Sequence, residues 1–85
     1  MNILKNKVLM ITGGTGSFGN AVLEKFLDSE LSEIRIFSRD EKKQDDMRLK
    51  YKNEKLNFVI GDVRSFKSIN NAMIDVDFVF NAAAL

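Results

Sequence analysis

Three glycines spaced three residues apart are the residues of this sequence best suited to bind a ligand. Gly13, Gly16 and Gly19 form the pattern G-x-x-G-x-x-G directly after a short apolar run. The first glycine allows a sharp turn, the second lets the backbone approach a diphosphate, and the third lets a helix pack close to the preceding strand. The pattern predicts a dinucleotide-binding turn between a strand and a helix.

Phosphate binding at such a turn depends on backbone amides and needs no lysine. The free N–H groups at the start of a helix attract phosphate, and the helix dipole adds to that attraction. No Gly-Lys-Ser/Thr sequence follows the glycines, so the pattern does not match a P-loop and does not indicate hydrolysis of a nucleoside triphosphate. The alternative is a glycine-rich turn that only connects a strand to a helix.

The residues after the second predicted strand bear on which dinucleotide would bind. An acidic residue there would accept hydrogen bonds from the ribose hydroxyls of NAD. This sequence instead has Ser38 and Arg39, and Lys43 follows one helical turn later. A hydroxyl and two cations suit the 2′-phosphate of NADP, so NADP is favoured over NAD. Two alternatives stay open: Asp40 leaves room for NAD, and Ser38 with Glu41 matches a helix capping box.

Two further strand ends supply candidate contacts. Asp62 and Val63 follow the third predicted strand, where the carboxylate is able to accept from the adenine amino group and the Val63 backbone to hold the ring edge. Asp62 is alternatively a loop or cap residue. Ala82 begins a run of small residues after the fourth strand. Small side chains there would leave space for the middle of the cofactor. Alternatively, they only allow close packing of the chain.

A Tyr-x-x-x-Lys motif at Tyr51 and Lys55 matches the acid–base pair of short-chain dehydrogenases. Its position between the second and third strands is on the adenine side of the sheet, far from any nicotinamide. Catalysis requires the tyrosine hydroxyl within hydrogen-bond reach of the reacting centre. We therefore predict that the pair is not catalytic and that Tyr51 packs one helical turn from Met47.

An alternation of strands and helices positions all these residues. Short apolar runs predict four strands, at residues 8–11, 34–37, 58–60 and 78–80. Apolar residues at three- and four-residue spacings predict helices over residues 18–27 and 66–73. The dense mixed charges of residues 39–55 predict a solvated helix or a helix plus a loop. The order β-α-β-α-β-α-β predicts an α/β fold with a Rossmann-like, doubly wound parallel sheet.

Composition limits the classes of function. A net charge of +1 provides no strong basic field for binding nucleic acid. With no cysteine and no histidine, disulfides, thiol nucleophiles, zinc sites built from these residues and Ser-His-Asp triads are excluded. The apolar runs are too short to span a bilayer and the first residues lack a signal peptide, so we expect a cytoplasmic protein without a membrane partner.

The end of the sequence bears on domain organisation. Residues 1–85 stop soon after the fourth predicted strand, which we expect to be buried on both faces. A free edge on such a strand would favour aggregation. We therefore expect the N-terminal part of an NAD(P)-binding Rossmann domain, truncated after the fourth strand, without its catalytic half and substrate domain.

Four segments together resemble the inverting UDP-N-acetylglucosamine 4,6-dehydratases, which are extended short-chain dehydrogenase/reductases of surface polysaccharide biosynthesis. The segments are ITGGTGSFG at residues 11–19, SRDEKKQ at 38–44, GDVR at 61–64 and AAAL at 82–85. The resemblance covers the whole chain but only the first part of such an enzyme. It implies NADP contacts at Thr15, Gly16, Ser17 and Phe18, at residues 38–43, at Asp62 and Val63, and at Ala82.

The resemblance also implies an activity for the intact protein. Such an enzyme is a lyase of capsule and related biosynthesis, expected to be a homo-oligomer, that takes a hydride from C4 of UDP-GlcNAc, eliminates water across C5 and C6, and returns the hydride to C6 with inversion at C5. The acid–base residues of that family lie beyond residue 85, so we expect no catalysis from this chain alone. The alternatives are a related epimerase or C4-reductase, and a non-catalytic remnant that binds NADP weakly or not at all.

Overall fold

Seven elements alternate along residues 2–82, the part of the chain that the computed structural model describes. They are β1 (Val8–Thr12), α1 (Ser17–Phe26), β2 (Glu33–Ser38), α2 (Glu41–Tyr51), β3 (Leu56–Ile60), α3 (Phe66–Ala72) and β4 (Phe78–Asn81). All the predicted strands and helices are present, and their ends differ from the prediction by at most two residues. The broad charged segment at residues 39–55 forms α2 and its flanking loops. Within residues 2–82, no helix combines the length and apolar character that crossing a membrane requires.

The four strands form one parallel sheet in the order β3-β2-β1-β4, which confirms the predicted Rossmann-like α/β fold. The chain moves from β1 outward to β2 and β3, then returns to the other side of β1 as β4. This reversal places a topological switch point between β1 and β4, where ligands of open α/β sheets bind. The end of β1 is joined to both neighbours, since the Gly13 N–H donates to the Phe37 carbonyl at 2.8 Å and the Thr12 hydroxyl to the Asn81 side-chain oxygen at 2.8 Å.

Alternate side chains of the strands form two separate cores, one on each face of the sheet. Leu9 and Ile11 of β1 lie in the core that contains Val22 and Leu23 of α1 and Met47 of α2. Met10 of β1 and Phe37 of β2 pack on the opposite face with Ala72 of α3. The central strand is therefore buried on both faces, as its continuous apolar run predicts.

The prediction that the fourth strand is buried on both faces is wrong for the described part of the chain. Phe78 is 37% exposed and Val79 is 46% exposed. β4 is an edge strand that pairs only with β1 among residues 2–82. Of the three apolar residues at 78–80, only Phe80 is partly buried, with its ring 5.5 Å from that of Phe18 in α1.

Arg35 is a charged residue on an inner strand, and its partners explain its position. Its guanidinium pairs with Glu33 at 2.6 Å and donates to the carbonyls of Ala72 and Ile74, each at 2.7 Å. The hydrogen bond from Arg35 lowers the pKa of the Glu33 carboxyl. These bonds join β2 to the C-terminal end of α3, a helix of only seven residues.

Two glycines shape the connection between β1 and α1. Gly13 has a φ of 66°, the left-handed conformation that favours glycine. At Gly19, a β-carbon would lie 2.5 Å from the backbone of Gly14. The first turn of α1 therefore packs directly on the backbone that follows β1, which only a residue without a side chain permits.

Replacing Gly19 by alanine tests this close packing. We expect Gly19→Ala to lower the free energy of unfolding by about 2 kcal/mol and Tm by roughly 10 °C, because backbone must move to admit the methyl group. Gly16→Ala is the matched control, since a β-carbon there meets only one atom within 4 Å, the Gly13 carbonyl oxygen at 3.9 Å. Thermal unfolding followed by circular dichroism measures both variants, and equal Tm values would contradict the packing role.

Candidate functional site

A cleft of about 1120 Å³ lies where the C-terminal ends of the four strands meet. This volume is sufficient for an extended organic ligand, because small-molecule sites are usually about 300–1,000 Å³. Thirteen of the residues predicted from the sequence line the cleft: Gly13, Thr15, Gly16, Ser17, Phe18, Ser38, Arg39, Asp40, Glu41, Lys43, Asp62, Val63 and Ala82. The lining also includes Gly61 and Arg64.

Two predicted site residues, Gly19 and Lys42, do not line the cleft. Gly19 lies behind the turn, against the backbone of Gly14. This location agrees with the packing role that the sequence pattern assigns to the third glycine. Gly19 therefore contributes to the site by positioning the start of α1.

The start of α1 differs from the other helix starts in having no side-chain cap. Its N-cap is Gly16, no described side chain bonds to the first-turn amides, and the first turn carries no acidic residue. The side chains of Asp40 and Ser65 cap α2 and α3 by accepting from backbone N–H groups. Because Gly16, Ser17 and Phe18 line the cleft, the uncapped end of α1 presents its partial positive charge there.

A hydrogen-bonded pair that sequence reasoning missed fixes the backbone of this turn. The Asn20 amide donates to the carbonyls of Gly16 at 2.9 Å and Thr15 at 3.3 Å. The Tyr51 hydroxyl lies 2.9 Å from the Asn20 side-chain oxygen and 2.9 Å from the Glu24 carboxylate. Asn20 therefore holds two carbonyls of the turn, while the Phe37 carbonyl accepts from the Gly13 and Gly14 N–H groups at 2.8 and 3.4 Å. The only signal in the sequence is an asparagine inside a helix, where it is not favoured.

The Tyr-x-x-x-Lys pair has structural partners outside the cleft. Lys55 donates to the carbonyls of Leu27 at 2.9 Å and Ser29 at 2.6 Å, at the end of α1. Tyr51 packs against the core cluster that contains Met47, and burial raises the pKa of its hydroxyl. Neither side chain is part of the cleft lining. The geometry agrees with the prediction that this pair is not catalytic.

The capping box proposed for Ser38 and Glu41 is wrong. The N-cap of α2 is Asp40, whose carboxylate accepts from the Lys43 backbone N–H at 3.0 Å. Ser38 is 7% exposed, and its hydroxyl oxygen accepts from the Gln44 amide at 3.0 Å and the Asp40 N–H at 3.4 Å. Ser38 is thus held at the edge of the cleft by Gln44, a residue that sequence reasoning also missed.

Asp62 is the centre of a small ionic cluster at the end of β3. Arg64 binds its carboxylate with the side chain at 2.9 Å and the backbone N–H at 2.9 Å, and Arg39 approaches it to 3.8 Å. The hydrogen bonds from Arg64 lower the pKa of Asp62 to about 2. The backbone bond also organises the loop, as the alternative interpretation of Asp62 expected. An adenine amino group would share this carboxylate with Arg64.

The ionisable residues of the cleft lining balance in charge. Three are basic and three are acidic: Arg39, Lys43, Arg64, Asp40, Glu41 and Asp62. Asp40 already accepts from the Lys43 N–H in the first turn of α2, and Asp62 from the Arg64 N–H in its own loop. The side chain of Arg39 is 67% exposed and approaches Asp62 only to 3.8 Å. Any preference for an anionic group therefore depends on local contacts and not on the net charge of the cleft.

Comparison with known proteins shows the family. Residues 9–85 match the family model described as polysaccharide biosynthesis protein, and the chain belongs to that family. It is 67% identical over 84 residues to a UDP-glucose 4-epimerase of Rickettsia felis, an alignment that covers 94% of this chain and 25% of the relative. The chain thus spans about a quarter of the length of the curated relatives it matches.

Solved structures share the fold. The X-ray structure of Pen from Bacillus thuringiensis superposes with a TM-score of 0.91 at 32% identity, covering 98% of this chain and 26% of that one. A short-chain dehydrogenase from Streptomyces avermitilis superposes with a TM-score of 0.77 at 23% identity, covering 94% of this chain and 31% of that one, a similarity of fold alone. The narrower resemblance to dehydratases is not confirmed by these relatives, of which the curated one is named as an epimerase.

The ionic cluster predicts the titration of Asp62. Since the folded pKa is about 2, below the ordinary 3.8, its contribution to stability is present above pH 3.8 and is lost as the pH falls through 2. At pH 3 we expect this carboxylate to be about nine-tenths ionised by carbon-detected NMR. Arg64→Met should raise its pKa towards 3.8, whereas Lys52→Met, which changes a cation outside the cluster, should not. An unchanged midpoint in Arg64→Met would refute the pairing.

Proposed function

We propose that this chain is the dinucleotide-binding portion of an enzyme that oxidises a UDP-sugar at C4. The observation that carries the proposal is the uncapped start of α1, which opens onto the cleft at the switch point of the sheet. A diphosphate is the ligand that such a helix start suits, because it supplies acceptors and negative charge to free N–H groups. The family of the chain and the name of its Rickettsia felis relative support a sugar nucleotide as the substrate.

The residues of the turn fit a dinucleotide. At Gly16 a β-carbon would have no neighbour closer than 3.9 Å, so the glycine is not required by packing within the described chain. On the cleft side, the absence of a side chain at Gly16 lets a diphosphate reach the amides of residues 15–18. When bound, the nicotinamide would accept the hydride from the sugar. Ala82 borders the cleft beside β1 and leaves room for the middle of such a ligand.

NADP is the proposed dinucleotide rather than NAD. The acidic residue nearest the end of β2 is Asp40, and its carboxylate accepts from the Lys43 N–H as the cap of α2. A ribose hydroxyl would therefore compete with the helix cap for this carboxylate. Ser38, Arg39 and Lys43 line the same end of the cleft and suit a 2′-phosphate. Asp62 and Val63 are proposed to border the adenine.

Epimerisation and dehydration both begin with hydride removal from C4, so the two candidate reactions share this first requirement. An epimerase returns the hydride to the opposite face of C4. A 4,6-dehydratase eliminates water across C5 and C6 and returns the hydride to C6. The name of the Rickettsia relative favours the epimerase, whereas the segments at residues 38–44 and 82–85 favour the dehydratase acting on UDP-GlcNAc. Residues for either later step are proposed to lie in the part of the relatives that this chain does not span.

Direct titration tests the cofactor site. We expect the chain to bind NADPH weakly and Gly16→Val to abolish binding, because the larger side chain blocks the approach to the amides. Arg39→Ala should weaken NADPH roughly ten-fold and NADH little, as expected for losing a charge-assisted hydrogen bond to phosphate. Lys42→Ala is the control, since Lys42 pairs with Asp46 and does not line the cleft. Equal losses of both nucleotides in Arg39→Ala would refute the 2′-phosphate role.

A chimera tests the role of the chain within an enzyme. This chain would replace the matching quarter of the Rickettsia felis relative, and the product would be incubated with UDP-glucose and with UDP-GlcNAc. We expect turnover that Gly16→Val in the chimera removes. Mass spectrometry separates the reactions, because dehydration lowers the mass of the sugar by one water and epimerisation leaves it unchanged. A folded but inert chimera would support the non-catalytic remnant instead.

A further inference from the structure

Gln44 is a buried polar residue on a helix that is otherwise strongly charged. It is 2% exposed, and its side-chain nitrogen reaches across the ends of two strands. The nitrogen lies 2.9 Å from the Val59 carbonyl oxygen, 3.0 Å from the Ser38 hydroxyl and 3.4 Å from the Ser38 carbonyl oxygen. These neighbours determine which end of the Gln44 amide, the nitrogen or the oxygen, faces the two strands.

The two carbonyl oxygens fix which end of the Gln44 amide faces β2 and β3. A backbone carbonyl only accepts hydrogen bonds, so the NH₂ group and not the amide oxygen must face Val59 and Ser38. The NH₂ group has two protons, and its two nearest acceptors are the Val59 carbonyl and the Ser38 hydroxyl. Gln44 is therefore a donor to the Ser38 hydroxyl.

This hydrogen bond determines what Ser38 presents to the cleft. The Ser38 oxygen accepts from Gln44 and, more weakly, from the Asp40 N–H, which occupies both of its lone pairs. Its own proton is left to be donated, and the structure shows no hydrogen bond from this hydroxyl to another of residues 2–82. Since Ser38 lines the cleft, a ligand atom there can accept this proton in place of water.

We propose that Gln44 is a positioning residue that sets the nucleotide preference of the site by making Ser38 a donor. A 2′-phosphate carries only acceptor oxygens and negative charge at this position, and a donor hydroxyl binds it with a charge-assisted hydrogen bond. The 2′-hydroxyl of NAD offers a weaker, neutral acceptor. The inference rests on the proposed dinucleotide function and adds to it a residue that does not touch the ligand.

Gln44 also joins β2 to β3 through Val59, so its replacement is expected to lower stability as well. A purely structural role would weaken NADPH and NADH alike. The ratio of the two dissociation constants, Kd(NADH)/Kd(NADPH), therefore separates positioning from stability. Gln44→Met keeps the length of the side chain and removes the donor. Gln44→Glu replaces the NH₂ donor by an oxygen. In its ionised form this side chain accepts the Ser38 proton, so the titration is made at a pH at which the new carboxyl is ionised.

Nucleotide titration of the wild-type chain, Gln44→Met, Gln44→Glu, Ser38→Ala and the Ser38→Ala/Gln44→Met double variant tests the proposal. We expect the ratio to fall roughly five- to ten-fold in Gln44→Met and Ser38→Ala, and further in Gln44→Glu. In the Ser38→Ala background, Gln44→Met should change the ratio no further, because the two residues act through one hydroxyl. Circular dichroism checks that each variant is folded.

The possible results separate a failure of the Gln44 positioning role from a failure of dinucleotide binding itself. A folded Gln44 variant that retains the wild-type ratio would overturn the positioning role, and so would an unchanged ratio in Ser38→Ala even if the Gln44 variants do not fold. A wild-type chain that binds neither nucleotide would overturn the proposed function and this inference with it. A wild-type chain that binds NADH as tightly as NADPH would overturn the inference while leaving dinucleotide binding in place.

Discussion

The packing of α1 on the backbone after β1 is the contact on which the rest of the site depends. Gly19 meets the Gly14 backbone with no room for a side chain, so the helix starts immediately behind the end of the central strand. The parallel register brings the ends of the other strands to the same edge. As a result, an uncapped helix start and four strand ends surround one cleft, and the charge of the helix is directed to the place where ligands of this fold bind.

The sequence was sufficient to predict the order of the elements, the turn and most of the cleft lining, because these depend on local patterns. Apolar runs mark strands, helical spacing marks α1, and glycine spacing marks the turn. Parallel strands place all their C-terminal ends together, so the sequence alone assigns residues as distant as Ser38 and Asp62 to one site. The charged segment predicts a helix and the packing of Tyr51 near Met47, but not the burial of Gln44.

What the sequence could not predict are interactions between elements. Asn20 with Tyr51, Gln44 with Ser38, and Arg35 with the end of α3 join residues through geometry that no spacing rule encodes. The Ser38 capping box failed because Asp40, two residues closer to α2, takes the cap position. The burial expected for β4 is not observed. Apolar side chains show that a strand is able to pack against a neighbour, but they do not show whether the described part of the chain provides that neighbour.

The central claim is that the amides of residues 15–18, at the start of α1, hold the diphosphate of a nicotinamide dinucleotide. The most direct test is a titration of the ¹⁵N-labelled chain with NADPH, followed residue by residue through amide chemical shifts. The account predicts the largest changes at Gly16, Ser17 and Phe18, with smaller ones at the ends of β2 and β3. Amide shifts that leave the turn unchanged, or that concentrate along β4 or α3, would contradict it.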